Sequence, residues 1–321
     1  MRGARAAAAP AGAAVDRPAR HVYDLMRYRA IYLIIASVVM ALALSSLVIR
    51  GFNLGIDFTG GTLLERALPS PVTAQEVQEV LGGEALADLR LGGVSVQPLD
   101  GGRAVLIRTR PLSQAEVQRI DAALEARFGE VVDRRTEVVG PVVGRELVSQ
   151  ALFALLLAIG GILVYVTLRY EHRFGISAIV ALLHDALVVA GLYSFLQLEV
   201  NVSTVAVLLT VLGYSVNDTI VIFDRIRERL AQSRRRRDFD RLANEAIIET
   251  LPRTINTSGS TLAVVLAILL LGGPTLRDFS LGLFVGLLAG TYSTVFVAAA
   301  LWVMWRTADE RRRAAHVSEA A

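Results

Sequence analysis

Residues Val202–Phe223 read VSTVAVLLTVLGYSVNDTIVIF. A bilayer is crossed by about 20 mostly apolar residues in a helix. This stretch has that length, and Asp218 is its one carboxylate. It predicts a membrane span that carries an ionisable group inside it. Such groups are costly in lipid and mark functional positions by default. Working outward, five more stretches qualify as spans: Ala30–Ile49, Leu147–Leu168, Gly175–Leu196, Ile255–Leu271 and Leu281–Trp305. The fifth span in chain order, at 255–271, is short and opens on polar residues, so its start is the least defined. The chain is 54% hydrophobic, with a mean hydropathy of +0.51. That excess belongs to lipid rather than to a soluble domain.

All 33 basic residues are arginine and lysine is missing, which reads as genome composition. The arginines collect beside the apolar segments instead of on one soluble face, which argues against a nucleic-acid partner. Their distribution in short segments sets the orientation. Six precede the first span, Arg169 and Arg173 follow the second, nine lie between the fourth and fifth, and Arg306 and Arg311–Arg313 follow the sixth. The loop around Glu199 has none, and that around Pro274 has Arg277 alone. Both termini are therefore expected in the cytoplasm. Residues 1–29 are expected to be a disordered cytoplasmic tail, whose alanine- and arginine-rich start lacks the continuous apolar core of a signal peptide. Residues 306–321 form a second tail.

Residues 50–146 form the one large soluble segment, predicted to be extracytoplasmic. Capping boxes at Thr73/Glu76 and Ser113/Glu116 start two helices, and Val117, Ile120, Leu124 and Phe128 recur at helical spacing. β-rich runs at Thr62–Leu68, Val94–Leu99, Ala104–Thr109 and Val131–Val139 flank them, with a hairpin turn at Asp100-Gly101-Gly102. This order predicts an α+β, ferredoxin-like βαββαβ domain between the first two spans of a six-helix membrane protein. Residues 147–305 complete a five-helix bundle. Its cytoplasmic loop, 224–253, reads as an amphipathic helical hairpin over Asp224–Leu251, with Arg234–Arg237 as a solvated anchor or a contact for anionic lipid or a partner.

Asp218 lies roughly 7–8 Å inside the cytoplasmic end of its span at 1.5 Å per residue. Burial disfavours its charge, which suits a proton carrier; the plainer reading is a hydrogen bond that locks helix packing. Asn217 and Thr219 flank it, and Tyr214 and Ser215 share its face. Arg253, Asn256, Thr257 and Ser260 fall three and four apart, as one polar stripe at the start of the fifth span. Arg253 could favour the ionised Asp218 or simply snorkel to the headgroups. His184 and Asp185, mid-span, form either a second proton station or an internally satisfied pair. They are too few for a metal site. Gly282, Gly286 and Gly290 make a small-residue packing stripe. With no cysteine there is no disulfide, thiolate zinc site or thiol catalysis. No phosphate loop, GxSxG elbow or HExxH site occurs. An enzyme and a cofactor are not expected.

Three stretches carry a family resemblance: GFNLGIDFTGGTLLE at Gly51–Glu65, VLGYSVNDTIVIFDRIRE at Val211–Glu228 and ETLPRTINTS at Glu249–Ser258. Over roughly 30–305 the chain resembles the SecF family, accessory subunits of the bacterial Sec protein translocase, similar in turn to proton-driven RND transporters. The resemblance implies a SecD partner, association with the SecYEG channel and with a translocating preprotein, and a place in the cytoplasmic (inner) membrane. It implies use of the proton-motive force after the ATP-driven steps of SecA. It also places the residues matching Asp218 and Arg253 in the proton pathway, with SecD supplying a related aspartate. This chain is expected to lack the SecD half found in fused relatives. The alternatives are a scaffold that conducts no protons and half of an RND-type small-molecule exporter. An aspartyl protease would need Asp185 and Asp218 to face each other, and the usual glycine-bearing motif is absent.

Overall fold

The structure is a computed structural model that describes residues 24–232 and 238–319. Helix α1 (Arg29–Arg50) leads into β1 (Asn53–Leu54), α2 (Ile56–Thr59), β2 (Gly61–Ala67), α3 (Ala74–Leu81), β3 (Ser95–Leu99), β4 (Ala104–Thr109), α4 (Gln114–Phe128) and β5 (Val132–Val139). The chain then returns through α5 (Pro141–Arg169), α6 (His172–Leu196), β6 (Glu199–Val200), α7 (Val202–Gln232) and α8 (Phe239–Leu271). Helix α9 (Pro274–Ser293), a π-helical turn over Thr294–Ala298 and α10 (Ala299–Glu319) follow one another without a break. Among the described residues, six helices are long and apolar enough to cross a membrane, α9 to α10 counting as one.

In the domain between α1 and α5, the strands stand in the order β3-β4-β2-β5, all antiparallel. Helices α3 and α4 cover one face. The connectivity is the split βαβ arrangement expected from the sequence. Leu64, Val105 and Ile107 point from the sheet to Val77, Leu81, Ile120 and Leu124 on the helices, all essentially buried. Each such side chain contributes about 1.5–3 kcal/mol on burial. Both capping boxes are formed: Thr73 Oγ1 accepts from the Glu76 N–H at 3.3 Å and Ser113 Oγ from the Glu116 N–H at 3.4 Å, and each glutamate reaches back to its cap.

Glu116 also takes a hydrogen bond from Arg110 at 2.5 Å. That guanidinium, with the Ser113 N–H and hydroxyl, holds its carboxyl at about 2 against an ordinary 4.5. The sign follows: the cap's stabilisation is complete above pH 4.5 and is lost as pH falls from there toward about 2. Hydrogen exchange of the α4 amides should quicken over that window in the wild type. In Glu116→Gln the α4 amides should show no such step, their protection being lower throughout.

The domain is fastened to the bundle at one end. β1 pairs in parallel with β6, which lies between α6 and α7. Arg108 on β4 donates to Glu199 at 2.6 Å. The Val202 N–H, at the start of α7, donates to Asp57 at 3.1 Å. The Gly60-Gly61 pair is a tight junction and not a loose joint. Gly60 has φ +71° and Gly61 φ +138°, and a Cβ on Gly61 would lie 2.5 Å from the Thr109 carbonyl oxygen. Left-handed backbone of this kind costs other residues about 1–3 kcal/mol. Gly61→Ala should therefore lower hydrogen-exchange protection of the β2 and β4 amides by that amount. Unchanged protection would refute the close approach.

Three expectations change. The cytoplasmic hairpin over 224–251 is not a separate element: α7 runs on to Gln232 and α8 begins at Phe239, so the hairpin is the continuation of two spans. Glu249 joins the extensions, accepting from Arg225 at 2.5 Å and from Arg229. Residues 24–29 are packed instead of disordered, because Met26 is fully buried, the Leu25 N–H donates to Asn244 at 2.9 Å and Arg29 pairs with Asp240 at 2.6 Å. The tail from Arg306 continues as helix α10 through Glu319. The run Arg234–Arg237 and residues 1–23 lie outside the described residues.

Candidate functional site

Helix α9 fixes the approach of its neighbours. A Cβ on Gly282 would fall 2.6 Å from the Tyr193 ring, one on Gly286 2.3 Å from Val211, and one on Gly290 3.1 Å from Ser215 Cβ. Helices α6 and α7 can reach α9 this closely only because those positions are glycine. The close approach brings polar side chains of three helices together in an otherwise apolar bundle.

Asp218 is 5% exposed. Its Oδ2 accepts a hydrogen bond from Ser258 Oγ on α8 at 2.9 Å. Thr219, also buried, shares a 3.2 Å hydroxyl contact with Thr294 in the π turn. Arg253 is exposed and makes no hydrogen bond to Asp218. Asn217, Asn256, Thr257 and Ser260 are exposed as well. The predicted stripe therefore lies on the outer face of α8, and the residue that touches Asp218 is Ser258, which the stripe omitted. With Thr210, Tyr214 and Thr261, several of these polar residues line an open groove between α7 and α8. Thr261 donates to the Tyr214 hydroxyl across it at 3.3 Å.

Asp185 and His184 form a second buried cluster, both fully enclosed. His184 Nδ1 lies 3.0 Å from Asp185 Oδ1. Asp185 Oδ2 accepts from Ser215 Oγ on α7 at 2.5 Å and from Ser293 Oγ on α9 at 2.8 Å. Asp185 is thus held by serines of α7 and α9, and Asp218 by a serine of α8. Ser215 and Ser258 lie within stretches that carry the family resemblance, but no role was read for either as a donor to these carboxylates, and Ser293 was not singled out. Their signal as donors was a hydroxyl inside an apolar run.

A six-span α-helical bundle that encloses two carboxylates, with an α+β domain inserted after its first span, is a polytopic membrane protein that maintains ionisable groups within its spanning region. The profile described as "Protein export membrane protein SecD/SecF, C-terminal" matches residues 119–308, and that of the "SecD/SecF GG Motif" matches residues 45–65. The chain belongs to the SecD/SecF family. It is 38% identical over 290 residues to the protein translocase subunit SecF of Desulfurispirillum indicum, covering 88% of this chain and 91% of that one. It is 40% identical over 278 residues to SecF of Pseudomonas aeruginosa, covering 86% and 89%. Against SecDF of Thermus thermophilus it is 40% identical over 281 residues, 87% of this chain but 38% of that longer one. The crystal structure of the Thermus SecDF superposes with a TM-score of 0.80 at 36% identity, covering 90% of this chain and 40% of that one. A SecDF structure in a super-membrane-facing form gives 0.63 with 94% of this chain covered.

Proposed function

We propose that this chain is a SecF-type accessory subunit of a Sec translocase. Paired with SecD beside the SecYEG channel, it uses the proton-motive force to promote preprotein translocation and release after the ATP-driven steps of SecA. It sits in the cytoplasmic membrane with both termini inside and the α+β domain outside, an orientation that the arginine distribution of the short segments supports. It is neither an enzyme nor a cofactor carrier. The observation that carries the reading is Asp218: a buried carboxylate, held by a single hydroxyl donor, one residue from a polar groove on the surface of the same two helices. A polar groove at membrane depth is poorly suited to lipid and well suited to a second membrane subunit. Relatives fused as SecDF supply such a subunit within one polypeptide.

Coupling has a physical route. Helix α7 carries Asp218, and its first residue, Val202, is bonded to Asp57 of the domain. The β1–β6 ladder and the Arg108–Glu199 pair reinforce that junction. One charge crossing 100 mV releases about 2.3 kcal/mol, so a few protons can offset a domain movement costing several kcal/mol. The lower superposition score with the super-membrane-facing form fits a family with more than one domain arrangement. A scaffold reading is favoured only by the Ser258 bond, which would serve packing equally well. The test is translocation into inverted membrane vesicles depleted of this chain and reconstituted with it, with and without an ionophore. Restored ionophore-sensitive stimulation supports coupling; stimulation that is restored but insensitive to the ionophore supports the scaffold.

A further inference from the structure

The geometry points to His184 and Asp185 as a second proton-holding site in the bundle, with His184 Nε2 as the atom that takes the proton, Asp185 as its counter-charge and Ser215 as the link to the helix of Asp218. This deepens the proton-coupling reading and rests on it for its role in export.

Four observations carry it. Both side chains are fully enclosed, and among the described residues no arginine pairs with Asp185; the sequence holds no lysine. A carboxylate in such a place needs a counter-charge, and the imidazole at 3.0 Å is the group able to supply it. Next, His184 Nε2 is buried and has no partner among the described residues, and neither has the hydroxyl of Tyr292, whose ring centroid lies 5.5 Å from the imidazole. A purely structural histidine usually has both nitrogens satisfied. Here one nitrogen is committed to Asp185 and the other is free to bind a proton.

Third, Asp185 is held by hydroxyls, which donate to a carboxylate and can turn to accept from a carboxylic acid. Ser293 has a second acceptor in place, the Gly290 carbonyl oxygen at 3.2 Å, so it retains a bond in either protonation state. Fourth, the π turn begins at Thr294, the residue after Ser293. π-bulges within α-helices concentrate at functional sites. Thr294 bonds to Gly290 and touches Thr219, next to Asp218.

The remaining titratable groups near the pair are few. Tyr292 faces it from α9, Tyr32 of α1 reaches the same region through Phe296, and Asp218 lies one turn beyond Ser215 on α7. The charged residues of α1, α5 and α10 sit toward the ends of those spans. The step is a simple gain and loss: Nε2 takes a proton while Nδ1–H stays bonded to Asp185, and release restores the neutral imidazole.

The chain has four histidines, His21, His172, His184 and His316, so nitrogen NMR of 15N-histidine in this chain, reconstituted with its SecD partner, resolves the site. His184→Gln assigns the signal. If that variant does not assemble, a triple variant with glutamine at 21, 172 and 316 leaves His184 as the sole histidine. We expect His184 to show both a neutral and a doubly protonated signal as pH is varied, with a balance between them that moves in Asp218→Asn. His184→Gln should retain SecD but shift the pH profile of gradient-dependent export. A His184 signal that stays in one protonation state at every pH at which the complex holds together overturns the proposal, whatever export does. If Asp218→Asn leaves the gradient response intact, proton coupling fails as a reading, and the His184 titration still decides this site by itself.

Discussion

Asp218→Asn is expected to remove the gradient-dependent part of export, by on the order of 100-fold, the usual scale for losing a positioned proton-transfer group. Asparagine has nearly the same shape and still accepts from Ser258 Oγ, the 2.9 Å bond that ties α7 to α8. Packing at this site, 5% exposed, should therefore change little, and SecD should co-purify as before. What asparagine lacks is a proton to gain and lose. Ser258→Ala is the companion variant. It removes the bond and keeps the carboxylate, at a cost of about 1–3 kcal/mol, and should leave the gradient response in place. A packing role for Asp218 predicts the reverse pattern: Ser258→Ala would matter as much as Asp218→Asn, and both losses would track loss of the complex. Ionophore-sensitive translocation in vesicles, measured with SecD retention for each variant, separates the two.

The contrast between Asp218 and Arg253 shows how far a sequence carries such a site. Asp218 was legible because a carboxylate within an apolar run is conspicuous alone. The stripe of Arg253, Asn256, Thr257 and Ser260 was legible as a face, but spacing fixes only that these residues share a side. It does not say which side meets the bundle. One residue along a helix turns the face by about 100°, and Thr254 and Ser258 are the residues turned inward. The Asp185 cluster needed three helices in place before Ser215 and Ser293 could be seen as its donors. The β1–β6 ladder has two residues on each side, separated by most of the domain and two spans, and neither strand has a pattern of its own. By contrast, the capping boxes depend on local bonds and the four strands of the domain on β-rich composition between turn signals, so their positions could be read to within a residue or so.

The second large effect is expected in the α+β domain, at Arg66. Its side chain is fully buried, on the same face of β2 as Leu64. It donates to Asp121 at 2.6 Å and to Asp133 at 2.7 Å, and to the carbonyls of Glu65 and Arg135. The two aspartates are not buried to match: their side chains are 28% and 57% exposed. The pairs are therefore one-sided, with an enclosed cation neutralised by acids that can also reach water. Removing the acids should do more harm than removing the arginine. The double variant Asp121→Asn/Asp133→Asn leaves a buried guanidinium without counter-charge and should destabilise the domain by about 3–5 kcal/mol. Arg66→Met replaces the cation with an apolar chain of similar length; the freed acids turn to solvent, and the cost should be much smaller. Hydrogen exchange of β2, β4 and β5 amides in the full chain reads both. The double variant should lose most of its protection while the α6–α9 amides keep theirs. If Arg66→Met proves the worse of the two, the arginine is needed for the carbonyls it binds and not for its charge.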